Sequence, residues 1–74
     1  ETASSLYTLA TLYAEKRDYK HAGPLYERAL VILEQKLGPE HPNTVTVRQD
    51  YLALLVAMGK VKKAAEVRSR MKTT

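Results

Sequence analysis

The chain has two histidines, His21 and His41, and imidazole is the side chain best suited to metal ligation or proton transfer near neutral pH. Nothing around His41 stands at ligand spacing, and His21, the only other histidine, is twenty residues away. There is no cysteine, so disulfides and thiolate metal sites are excluded. The carboxylates Glu15, Asp18, Glu27 and Glu34 fall on polar helix faces. Their expected task is surface pairing with Lys16, Lys20 or Arg28, each exposed pair worth roughly 0.2–1 kcal/mol. The sequence holds no glycine-rich phosphate loop, no zinc-protease His-Glu-x-x-His and no Ser/His/Asp set that its helices would bring together. It therefore reads as a non-enzyme with no cofactor or metal. His41 lies in the stretch LGPEHPNT, residues 37–44, directly before Pro42, which biases it toward extended backbone. That stretch reads as a helix stop, a bend and a helix start, and His41 as a structural residue within it.

The charge is unevenly spread. Residues 1–43 carry five Lys/Arg against six Asp/Glu, a balance of −1, whereas residues 44–74 carry seven against two, a balance of +5. A basic half of this kind can attract acidic peptides, RNA or anionic lipid. Its lysines are not interleaved with aromatic residues as nucleic-acid grooves require, so a solvated helix face is the stronger expectation. No apolar run approaches the roughly 18 residues of a membrane span. No secretory signal pattern opens the chain. The absence of cysteine is compatible with an intracellular, reducing compartment. The chain starts on Glu1 rather than Met, which reads as a piece of a longer protein.

Seventy-four residues make one small domain. Apolar periodicity places four helices in it. The first spans about Ala3 to Lys16, with Leu6, Leu9, Ala10 and Tyr13 on one face. The second starts near Asp18 or Tyr19 and reaches Leu37, with Asp18 a candidate N-cap. Its stripe is Ala22, Tyr26, Ala29, Leu30, Leu33 and Leu37. Gly23-Pro24 sits awkwardly inside it and allows a kink or a late start at Pro24. Gly38 then stops the helix. The third spans about Val45 to Met58, capped by Asn43 or Thr44, with Val47, Tyr51, Leu52, Leu55 and Met58 buried. Gly59 ends it. The fourth spans about Val61 to Met71, with Val61, Ala64, Ala65, Val67 and Met71 as its apolar residues.

Sliding the chain by 42 positions aligns its halves: Thr2 falls on Thr44, Leu12 on Leu54, Lys20 on Lys62, Ala22 on Ala64 and Arg28 on Arg70. Each half is a helix, a tight turn and a second helix. The segment LATLYAEKRDYKHAGPLYERALVILEQKLGPEHPNT resembles a tetratricopeptide repeat. It is similar to the longer variety seen in kinesin light chains, nephrocystin-like ciliary proteins and bacterial arrays. That pattern asks for apolar or aromatic residues at Leu6, Leu9, Tyr13, Tyr19 and Tyr26, and for small ones at Ala10, Ala22 and Ala29. It also asks for the linker Leu37-Gly38-Pro39-Glu40-His41-Pro42, and it often carries a proline at the place of Pro24. The resemblance is strong over residues 3–46 and weaker beyond. Adjacent asparagines that hold a peptide backbone in many members are replaced by Tyr7-Thr8 and Gln49-Asp50. The basic clamp of some members, Lys and Asn at the positions of Tyr7 and Thr11, is absent. Arg68 and Met71 replace an aromatic residue and an alanine.

The resemblance implies an all-α fold of two antiparallel helix-turn-helix hairpins, a right-handed α-solenoid fragment. The first repeat covers about 3–43 and a degenerate C-terminal repeat about 44–72. It implies a protein–protein interaction module whose concave face is lined by the first helix of each repeat, here Tyr7, Thr11, Glu15, Gln49 and Ala53. The partner would be a protein or peptide, with acidic character suggested by the basic half. Two alternatives stand beside it. The chain could be the capping unit of a longer array with no ligand of its own, exposing an apolar end face near its first helix through which copies self-associate. Or the last helix could bind acidic surfaces through Lys60, Lys62, Lys63, Arg68, Arg70 and Lys72, although it lacks the bulky apolar face of a membrane-interfacial helix. By resemblance the compartment is intracellular and cytoplasmic, cytoskeletal or ciliary.

Overall fold

A computed structural model describes residues 2–70. Four helices follow in order: α1 (Ala3–Glu15), α2 (Tyr19–Leu37), α3 (Pro42–Ala57) and α4 (Val61–Arg70). They form two antiparallel hairpins, α1–α2 and α3–α4, with α3 packed chiefly on α2. Met71 and Lys72 lie outside the described residues, as does the side chain of Arg70.

Each helix end has a local cause. Thr2 caps α1, its hydroxyl accepting from the Ser5 N–H at 3.1 Å. At the other end Asp18 N–H reaches Tyr13 O at 2.9 Å and Arg17 N–H reaches Ala14 O at 2.9 Å, with Arg17 at φ 62. That pair of bonds is a Schellman ending. α3 ends in the same way, Lys60 N–H on Leu55 O at 2.8 Å and Gly59 N–H on Val56 O at 3.0 Å, with Gly59 at φ 78. Gly38 stops α2 at φ 90, a conformation that a side chain would strain.

Several expectations change. α2 runs unbroken from Tyr19 through Pro24, so the later start is not adopted. Asp18 precedes it without a side-chain cap bond; its carboxylate meets the His21 Nδ1 at 2.9 Å instead. α3 starts at Pro42, three residues early, because proline at a helix's first position loses no intrahelical bond. Its cap is neither Asn43 nor Thr44 but His41, whose Nδ1 accepts from the Asn43 N–H at 3.1 Å. His41 itself is extended, at φ −65 and ψ 140.

Small residues let the helices approach closely: Ala10, Ala22 and Ala29 are wholly buried, and Ala64 nearly so. Around them pack Leu6, Tyr26, Leu30, Val47, Tyr51, Leu55 and Val67. Leu54 joins this core although the periodicity reading omitted it, while Leu9, Leu37, Val61 and Ala65 are exposed although the reading included them. Arg48 is also interior, 2% exposed, with its guanidinium donating to Pro39 O at 3.0 Å and to Glu34 Oε2 at 3.3 Å. A helical charge is buried this way only when partners from elsewhere neutralise it. The surface pairs expected within one helix are in part tertiary: Glu34 meets Arg48 of α3, and Glu27 meets Lys63 of α4 at 3.4 Å.

Candidate functional site

α1 and α3 lie side by side with an open seam between them, floored by α2. Tyr7 bridges it, its hydroxyl donating to Asp50 Oδ2 at 2.5 Å. On one side of the bridge a hollow of about 220 Å³ is lined by Ala3, Ser4, Tyr7, Leu33, Asn43, Thr46 and Val47. On the other, a wider and shallower hollow of about 350 Å³ is lined by Thr11, Ala14, Tyr19, Tyr26, Asp50, Ala53, Leu54 and Ala57.

The bridge is held from behind. The Tyr7 and Tyr26 rings pack at 5.9 Å, tilted by 56°. Thr11 donates its hydroxyl to Tyr7 O at 2.9 Å and lies 3.4 Å from the Tyr26 hydroxyl. The Asp50 carboxylate accepts the Tyr7 proton and, with burial as the second cause, pushes the phenol up to about 12. Tyr7 is therefore a fixed donor at any physiological pH.

Of the five residues expected along this face, Thr11 and Ala53 share the wider hollow, and Tyr7 lines the narrower one. Glu15 and Gln49 are exposed and line neither. Tyr19 and Tyr26 were not expected in the site, and Asp50 was expected only as one of the pair that stands in place of the family's groove asparagines. For Asp50 the signal was its place between Val47 and Leu54, a carboxylate on the buried side of α3. The seam carries this one carboxylate and no lysine among its lining residues, so an acidic ligand does not suit it.

The basic residues gather elsewhere. Lys60 and Lys63 join Lys20 around a cleft between α2 and α4, and Lys62 and Arg68 are exposed away from it. The second histidine, His21, stacks on Tyr13 at 5.1 Å and pairs with Asp18. That pairing holds the Asp18 carboxyl below its ordinary value. Among the described residues no group of three His, Asp or Glu side chains could hold a metal ion. No helix among them is long and apolar enough to cross a membrane.

Compared with known proteins, residues 1–67 match a family model described as tetratricopeptide repeat. No curated protein matches the chain. No solved structure matches it either.

Proposed function

Because the chain belongs to the tetratricopeptide repeat family, a fold of protein–protein interaction modules, we propose that it binds an extended peptide along the α1–α3 seam. The observation that carries this reading is the pair of hollows on either side of the Tyr7–Asp50 bridge. The hollows offer pockets for side chains, and the polar edge of Thr11, Asn43, Thr46 and Asp50 offers partners for a peptide backbone. The ligand is a neutral or basic segment, since Asp50 is the only charged group among the lining residues. We assign the repeat to the long variety on the Leu37–Pro42 linker and Pro24. An array-end unit with no ligand of its own is less well supported, because Val56 and Val61 leave apolar surface open on α3 and α4.

The test is to select peptides against the chain from a random display library and measure their affinity for two variants. Ala53→Arg places a bulky cation in the wider hollow, where it blocks a neutral segment and repels a basic one, and should weaken binding by about tenfold or more, roughly 1.4 kcal/mol. Val31→Glu lies on an exposed part of α2 and should bind as well as the parent. Peptides indifferent to Ala53→Arg, with circular dichroism unchanged, would sink the proposal.

A further inference from the structure

The cleft between α2 and α4 has a different character from the seam. It encloses about 310 Å³, with Pro24 and Met58 on its walls and Lys20, Lys60 and Lys63 around it. Three ammonium groups thus face one carboxylate, Glu27. Glu27 is already engaged: Tyr51 donates to its Oε2 at 2.6 Å and the Lys63 ammonium lies 3.4 Å from the same atom. Lys20 and Lys60 form no ion pair among the described residues and stay exposed. Lys60 is held in place by the Schellman ending of α3.

We propose that this cleft is a second binding site, for an acidic segment of a protein partner. Two carboxylates of that segment reach Lys20 and Lys60, and an aliphatic side chain between them rests on Pro24 and Met58. A polynucleotide suits the cleft less well. Its cations ring one hollow instead of following a track. The site shares only Tyr19 with the lining of the α1–α3 seam and is opposite to it in charge preference.

The experiment is an NMR titration of the isotope-labelled chain with three probes. They are a capped peptide of alternating glutamate and leucine, its counterpart with glutamine for glutamate, and single-stranded oligothymidylate. The glutamate peptide should give saturable shifts at Lys20, Met58, Lys60 and Lys63, and the glutamine peptide none. The double variant Lys20→Gln/Lys60→Gln should bind about tenfold more weakly, the loss of two partly screened pairs. Lys62→Gln/Arg68→Gln should bind like the parent. Equal shifts with the glutamine peptide would overturn the proposal. So would shifts centred on Thr11 and Ala53, tighter binding of oligothymidylate dependent on Lys62 and Arg68, or no saturable shift at all.

Discussion

Tyr7 is where packing and proton chemistry meet. An unfolded tyrosine titrates near 10, whereas Tyr7 is pushed up to about 12 by the carboxylate that accepts its proton. A group whose pKa rises on folding contributes stability that is intact below its unfolded value and disappears as pH climbs through the folded one. The Tyr7–Asp50 bridge should therefore hold α1 against α3 up to about pH 10 and fail between about 10 and 12. Followed by phenolate absorbance, the alkaline titration should contain a late step that Tyr7→Phe removes. The same variant should melt with a shallower loss of stability across that window. An alkaline titration that is the same in Tyr7→Phe as in the parent would mean that the bridge does not hold the proton. This bridge was not readable from the chain, because 43 positions separate its partners and only the docking of the hairpins unites them. Arg48 is a similar case. Its charge argued for the surface, and the groups that admit it to the interior, Glu34 and Pro39 O, come from α2 and the linker.

At the level of elements, what is local was legible and what is tertiary was not. Four helices, the stop at Gly38 and the stop at Gly59 follow from period and breakers, which act within a few residues. The start of α3 was misplaced because His41 is an uncommon cap, and its action depends on the extended backbone that Pro42 imposes. The end of α1 carries no glycine to mark it, although it repeats the Schellman ending of α3 at the 42-residue offset. There the two halves differ in one telling way: Gly59 occupies the left-handed position of α3, and Arg17 occupies that of α1. A residue with a Cβ is disfavoured in that conformation by roughly 1–2 kcal/mol, less whatever chain entropy glycine costs elsewhere. Arg17→Gly should therefore stabilise the chain by about 1 kcal/mol in denaturant unfolding, and Gly59→Arg should destabilise it by a similar amount. A neutral or destabilising Arg17→Gly would show that the Arg17 side chain contributes more to the turn than its backbone strain removes.

For the molecule as a whole, the two halves share a pattern but not an environment. Tyr51 and Leu54 are 3% and 4% exposed, while the residues at their places in the first half, Leu9 and Leu12, are 44% and 50% exposed. In the second half these positions rest on α2: Tyr51 reaches Glu27, and Leu54 lies against Gly23. Among the described residues nothing plays the part of α2 for α1. At the other end α3 and α4 leave Val56 and Val61 exposed. Head-to-tail association of copies would cover both apolar surfaces, and such a heterologous contact extends instead of closing into a dimer. Sedimentation equilibrium should then show an average mass rising from 8.3 kDa as concentration increases. Such an association should be weak, on the order of 1 mM, because a few partly exposed leucines and valines supply only a few kcal/mol before the cost of ordering two bodies. Leu12→Glu should return the chain to a monomer, since it puts a charge where apolar contact is needed and removes nothing from the core. Added salt should weaken the association only modestly if the apolar faces dominate. A monomer that persists at millimolar concentration would mean that Leu9 and Leu12 are tolerated in water. The exposed first-helix face would then carry no information about assembly.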